Sequence, residues 1–228
     1  MCAFEASAVV PAYNEEATVG DVVRTIVSSG VFREVIVVSD GSDDGTADVA
    51  TAAGARVVEL EDNQGKGAAM ARGVEMTDFS VVCFFDADLI GLSTATVRAV
   101  VSPVAEGRMA MNVGLVDRGD VAYVIAKRLP LVSGQRAMLK EVFELTPYEH
   151  LTGYGVEVAL NYTCSVNDFS VGVVRMRDVF VKTKLRKVGL LKGLAQYAHM
   201  WFWVGVWMMR VKLCRGHFVG ATEVKWNG

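Results

Sequence analysis

The sequence predicts an α/β fold with a mostly parallel central sheet flanked by helices. Three observations carry this expectation. Short runs of β-branched and other apolar residues alternate with longer stretches of helical character as far as residue 105. The runs are apolar at nearly every position, as strands buried on both faces are. Each run then gives way to a polar segment or a helical pattern, the rhythm of repeated strand–helix units in a doubly wound layer structure.

Taken in order, residues 7–10 read as the first strand and 17–29 as the helix after it. Residues 34–39 (EVIVVS) form a second strand, followed by a helix over 45–53. A third strand spans 56–60, with a helix over 65–76. A fourth spans 80–85 (SVVCFF), with a helix over 94–105. Past residue 107 the rhythm changes. Residues 109–116 and 121–125 read as strands, 135–145 and 156–164 as helices, and 170–176 as a strand returning to the sheet. Residues 182–192 make a basic link, and 190–213 read as a helix. The organisation expected is one catalytic domain, 1–181, with a basic, Trp-rich helical appendage, 182–228.

Composition narrows the function classes. The chain has 228 residues, 52% hydrophobic and 21% charged, which excludes a disordered chain. Four cysteines (Cys2, Cys83, Cys164 and Cys214) stand far apart with no CxxC, which argues against a disulfide scaffold or zinc ribbon and for a reducing cytoplasm. No basic, apolar leader opens the chain, and the longest apolar run, residues 198–209, is shorter than the roughly 20 residues a bilayer span needs. The net charge of -3 conceals a division. Residues 172–228 carry 11 Lys/Arg and 2 Asp/Glu, a net +9, whereas 1–171 carry 12 and 24, a net -12. The acidic body argues against a nucleic-acid partner.

The chemistry is expected where the strands end. In an open parallel sheet, ligands bind outside the carboxyl ends of the strands. The first strand ends in PAYNEE (11–16), the second in SDGSDDGT (39–46), and the fourth in Asp86-Ala-Asp88, while NQGKG (63–67) opens the third helix. Each alone also reads as an ordinary turn or cap. Four of them in register on one sheet edge are hard to assign to turns. Two carboxylates two residues apart would repel unless a cation shares them. Mg²⁺ or Mn²⁺ suits such oxygen ligands and completes its shell with substrate phosphates. Lys66 in GKG offers a cation near a helix N-terminus. The chain has no P-loop spacing, no GxGxxG after the first strand and no GxSxG elbow.

These segments, in this order and spacing, resemble family 2 glycosyltransferases of the GT-A fold. VVPAYNEE (9–16), VSDGSDDGT (38–46), GKGAAM (65–70) and FDADL (85–89) carry the resemblance through the first 90 residues. SGQRA (133–137) and GYGVE (153–157) look like acceptor-side motifs of two branches, the polyprenyl-phosphate (dolichyl-phosphate) sugar synthases and the glucosyl-3-phosphoglycerate synthases. The resemblance implies a nucleotide-sugar-binding fold and roles for individual residues. Pro11, Tyr13 and Glu15 would line the base and ribose pocket. Asp40 would contact base or ribose, with Gly41 and Ser42 allowing close approach, and Lys66 would sit near the nucleotide. Asp86 and Asp88 would be the metal pair, with Asp88 the direct ligand. Ser133, Gln135 and Arg136 would face the acceptor, joined by His150 from its loop. Glu157 would lie near the reacting sugar, as a base or an anchor. Asp88, Arg136 and Glu157 are the expected catalytic set. Arg136, read as the start of a helix, calls for an anion partner because its planar fork suits phosphate or carboxylate. One departure stands out. Some relatives carry a metal-binding histidine after the last core strand, and residues 178–187 contain none.

The basic end carries all four tryptophans. Cations flanking an aromatic-rich helix over 190–213 point to peripheral contact with a membrane interface. The apolar residues run all round that helix, which equally suits packing or a homodimer interface. The function expected is therefore metal-dependent transfer of a sugar from a nucleoside diphosphate sugar (UDP- or GDP-linked) to a phosphate-bearing acceptor. A polyprenyl phosphate at the cytoplasmic membrane face is the leading acceptor and soluble 3-phosphoglycerate the alternative. A non-catalytic sugar-nucleotide-binding module is the reading from a different class.

Overall fold

The structure is a computed structural model that describes residues 3–117, 133–147, 151, 155–181 and, as backbone, 222–223. Its elements run β1 (Ala6–Ala12), α1 (Glu16–Ser28), β2 (Glu34–Asp40), α2 (Thr46–Ala52), β3 (Arg56–Leu60), α3 (Lys66–Glu75) and β4 (Val81–Phe84). Then come β5 (Leu89–Ile90), α4 (Thr94–Ala105), β6 (Met111–Val116), β7 (Arg136–Leu139), α5 (Lys140–Glu144) and α6 (Val156–Val166). The chain closes with β8 (Val171–Met176), β9 (Phe180–Val181) and β10 (Thr222–Glu223).

Eight strands form one sheet in the order β10-β8-β6-β7-β4-β1-β2-β3. All are parallel except β7, which runs antiparallel between β4 and β6. Side chains alternate across the sheet, and the two faces collect different helices. Ala8, Val10, Val35, Val37, Cys83 and Phe85 pack with Val22, Ala50 and Val100 of α1, α2 and α4. Val9, Val82, Phe84 and Met138 pack on the other face with Met70, Phe143 and Leu160 of α3, α5 and α6. Burial on both faces is the physical reason these strands read as unbroken apolar runs. β3 is the edge and shows it, because Arg56 and Glu59 are exposed.

The expected α/β architecture is what forms, and the first four strand–helix units match to within a residue or two. Past residue 107 one expectation is corrected. The helix read over 135–145 is instead β7 followed by the short α5. Gln, Arg, Ala, Met and Leu favour helix, but the slot between β4 and β6 imposes strand on residues 136–139, a tertiary override of propensity. A small second sheet, β5 with β9, joins the residues just after Asp88 to those just before 182. The strand expected at 121–125, His150 and the helix expected at 190–213 lie outside the described residues. β10, placed beyond the expected domain boundary at 181, pairs with β8 through Thr222↔Gly172 and Glu223↔Val173. The chain therefore returns to the main sheet after residue 221.

Candidate active site

The sheet order reverses between β1 and β4, and the carboxyl ends of both strands open on one crevice. Antiparallel β7 delivers its N-terminal end to that same edge. The register pairs Phe84 with Arg136, so two positions beyond the ladder Asp86 stands beside Gly134. Topology thus brings residues 133–136 against the Asp86-Ala-Asp88 turn, fifty positions away in sequence.

Lys66, the first residue of α3, holds the cluster together. Its Nζ lies 2.7 Å from Asp86 Oδ1 and 3.1 Å from Glu157 Oε1, the latter in the first turn of α6. Burial alone would drive the Lys66 ammonium toward neutrality, but the two carboxylates outweigh it and hold the amine above its ordinary value. Burial likewise works against charge on Asp86. The Lys66 ion pair, then Gln135 and Arg136, reverse that and hold its carboxyl below the usual range. The second Asp86 oxygen accepts a 2.6 Å hydrogen bond from Gln135 Nε2. Gly134 fits only because it has no side chain: a Cβ there would stand 2.4 Å from Lys66 Nζ and 2.6 Å from Asp86 Oδ1.

Arg136 lies beneath this cluster with no exposed surface. Its Nη2 donates to the Ser133 carbonyl at 2.6 Å, and Nη1 reaches the Glu157 carbonyl and Asn161 Oδ1 at 3.4 and 3.5 Å. Its Nε meets no acceptor. Burial lowers the guanidinium's hold on its proton, with Glu157 and Asp86 acting the other way. Ser133 and Gln135 are 6% and 1% exposed. Ser133, Gln135 and Arg136, the residues expected to face an acceptor, are all buried here and bonded to neighbouring protein groups. Arg136 sits on a strand, where the anion expected of a helix start is not needed.

The nucleotide-side residues form a second group. Gly41 (φ 65°) passes so near the next loop that a Cβ would meet Asn63 N at 2.6 Å. Asp40 accepts from the backbone amides of Gln64 and Gly65, both at 2.8 Å, and thereby fastens the entry of α3. It is 3% exposed, with each carboxylate oxygen accepting from one of these amides. Ser42 Oγ receives Asn14 N at 3.1 Å, and Asn14 Oδ1 receives Asp43 N at 2.9 Å. Glu15 N donates to Thr46 Oγ1 at 2.9 Å. These bonds lace the β1–α1 loop to the β2–α2 loop. Burial opposes charge on Asp44, but the Thr46 hydroxyl and the amides of Glu16 and Thr46 hold its carboxyl below the usual range. Tyr13 is 46% exposed, while Pro11 and Glu15 are half-buried. Asn14, Asp44, Thr46 and Gly134 had no expected roles. The signal for Gly134 was a glycine set between two polar residues of one motif.

Asp88 is half-buried on the turn between β4 and β5. Among the described residues no group of three or more His, Cys, Asp or Glu could hold a metal by itself. The donor set fits a hard cation that takes one or two carboxylates and fills its remaining positions with ligand phosphates.

Comparison with known proteins converges on this cleft. The sequence profile described as Glycosyl transferase family 2 matches residues 7–159. Glucosyl-3-phosphoglycerate synthase of Mycolicibacterium paratuberculosis is 32% identical over 193 residues, covering 68% of this chain and 58% of the relative. The 4,4'-diaponeurosporenoate glycosyltransferase of Staphylococcus aureus is 36% identical over 99 residues, covering 41% of this chain and 26% of the relative. The chain thus spans about three fifths of the length of the synthases it matches. Glucosyl-3-phosphoglycerate synthase from Mycobacterium tuberculosis, crystallised with Mn²⁺, UDP-glucose and phosphoglyceric acid, superposes with a TM-score of 0.66 at 28% identity, covering 78% of this chain and 72% of that one. With Mn²⁺, UDP and glucosyl-3-phosphoglycerate the same enzyme gives 0.68, covering 82% and 75%. The profile runs from β1 through β7 into the first turn of α6 and so takes in the Lys66–Asp86–Glu157 cluster, and the chain belongs to glycosyl transferase family 2.

Proposed function

We propose that this chain transfers a hexosyl group from a uridine diphosphate sugar to a small phosphate-bearing acceptor, with glucose and 3-phosphoglycerate the best-supported pair. The Lys66–Asp86–Glu157 cluster at the reversal of the sheet carries the reading. Likeness to a synthase crystallised with Mn²⁺, UDP-glucose and phosphoglyceric acid supports the choice of donor and acceptor. The polyprenyl-phosphate acceptor gives way to the soluble one. The SGQRA and GYGVE motifs suit either branch, and the similar synthase was crystallised with phosphoglyceric acid. Among the described residues no helix is long and apolar enough to cross a membrane.

In this reading the bond between the anomeric carbon and the diphosphate oxygen breaks, and a bond to the acceptor hydroxyl oxygen forms. UDP leaves with the electron pair, and the hydroxyl proton is released. Asp88, with Asp86 beside it, would hold Mg²⁺ or Mn²⁺, whose charge offsets that of the departing diphosphate when bound. Lys66 brings a fixed positive charge to the same place, kept protonated by its two carboxylates. Glu157 secures Lys66 from the side of α6. The inter-loop bonds of Asn14, Ser42 and Thr46 keep the nucleotide-side loops from collapsing into the crevice.

The test is release of UDP from UDP-glucose with Mn²⁺, with and without 3-phosphoglycerate. Acceptor-dependent release that is lost in Asp88→Ala, with folding retained, is expected. Turnover only with a polyprenyl phosphate, or none with any donor despite UDP binding, would overturn the proposal.

A further inference from the structure

We infer that Ser133 and Gln135 are positioning residues that set the orientation of the Asp86 carboxylate. This rests on reading the cleft as a donor site, but not on the identity of sugar or acceptor. Asp86 is gripped on both oxygens, by Lys66 at 2.7 Å and by Gln135 Nε2 at 2.6 Å. Two charge-assisted bonds on opposite oxygens oppose rotation of the carboxylate plane.

Gln135 can act this way because it is held itself. Its backbone carbonyl accepts Gly114 N at 2.8 Å, continuing the β6–β7 pairing past the end of the strand. Its side-chain Oε1 lies 2.9 Å from Ser133 Oγ. An amide has a donor end and an acceptor end. Only the NH₂ end suits a carboxylate, so a flip would set Oε1 against Asp86 Oδ2, acceptor against acceptor. Ser133 has one proton and two acceptors in reach, Gln135 Oε1 and the Gly114 carbonyl. The Ser133 carbonyl is anchored in turn by Arg136 Nη2 at 2.6 Å, and the same guanidinium reaches the Glu157 carbonyl. A continuous polar path therefore joins the first turn of α6 to Asp86 behind the wall of the cleft. A solvent-facing acceptor contact would not be 1% exposed.

The isosteric Gln135→Glu puts a second carboxylate against Asp86, whereas Gln135→Leu removes the donor. Ser133→Ala removes only the hydroxyl that faces Oε1. Calorimetry of UDP with Mn²⁺ present is expected to show about tenfold weaker binding for Gln135→Leu, more for Gln135→Glu, and about threefold for Ser133→Ala. In turnover, kcat and the UDP-glucose KM should move while the KM for 3-phosphoglycerate stays put, as suits a group that never touches the acceptor. Ser133→Ala, the mildest change, keeps the test usable should Gln135→Leu fold poorly. If the unaltered protein does not bind UDP with Mn²⁺, the donor-site reading fails and this inference with it. If it binds and the Gln135 variants bind equally well, or raise only the acceptor KM, the positioning role is wrong while the donor site stands.

Discussion

Gly134 and Asp86 meet two positions past the β4–β7 ladder, so closely that a Cβ on Gly134 would stand 2.6 Å from Asp86 Oδ1. Gly134→Ala must therefore displace the Asp86 carboxylate or the Lys66 ammonium. Both are ends of side chains and can move without unfolding the protein. The expected outcome is a melting temperature within a few degrees of the parent and Mn²⁺-dependent UDP binding about tenfold weaker, about 1.4 kcal/mol. Scanning calorimetry and titration calorimetry on one sample check both halves.

Lys66→Met leaves Asp86 and Glu157 without the cation between them. The lowered Asp86 pKa means its contribution is present above the unfolded value of about 4 and is lost as pH falls through the folded one. The raised Lys66 pKa means its contribution is present below about 10.4 and is lost only as pH rises through the higher folded value. The variant should thus be less stable between about pH 5 and 9, by about 1 kcal/mol because Lys66 keeps a third of its surface in water. The deficit should shrink toward pH 3. Urea unfolding at pH 3, 5 and 7 measures it, and a deficit that grows with acidity would contradict the ion-pair account.

Gly67 faces the opposite situation. A Cβ there would lie 1.3 Å from the Leu151 carbonyl oxygen, a backbone atom and not the free end of a side chain. Gly67→Ala should push α3 and Leu151 apart and cost about 3 kcal/mol, read as a lowered urea midpoint. Gly65→Ala, whose Cβ would meet nothing within 4 Å but whose φ is 91°, should cost about 1–2 kcal/mol from backbone strain alone.

Cys83 and Cys164 should be unreactive in the native protein. Both are buried, and burial raises the two thiols, Cys164 to about 12 despite Arg136 nearby. Thiolate is the reacting form, so alkylation at pH 8 should modify neither until denaturant is added. Peptide mass analysis after a timed iodoacetamide exposure decides this.

The sequence was most readable where local pattern and tertiary setting agree. β1, β2 and β4 are buried on both faces, and Ser39-Asp-Gly and Gly65-Lys-Gly mark turns by chemistry that depends on a few neighbours. Lys66, Asp86 and Glu157 were all singled out, two by their motif positions and one by resemblance. Their mutual contact was not readable, since it depends on where β7 and α6 are placed. The residues of β7 favour helix, and only the gap between β4 and β6 makes them strand. With β7 missed, the Phe84↔Arg136 register was invisible, and so was the inward direction of Ser133, Gln135 and Arg136. Asp40 shows the same dependence on tertiary setting. An aspartate at a strand end reads as a ligand contact, yet its oxygens are committed to the Gln64 and Gly65 amides.

The pairing of β10 with β8 bears on how the protein can be shortened. A chain cut after residue 181 keeps every strand around the crevice but strips the partner from Gly172 and Val173. β8 would then become a bare margin, with inward apolar residues such as Val171 and Val173 beside unpaired amides and carbonyls. Such a margin recruits another copy of itself. Thr222 and Glu223 thus act as a selvage, guarding the sheet against association at the border farthest from β3.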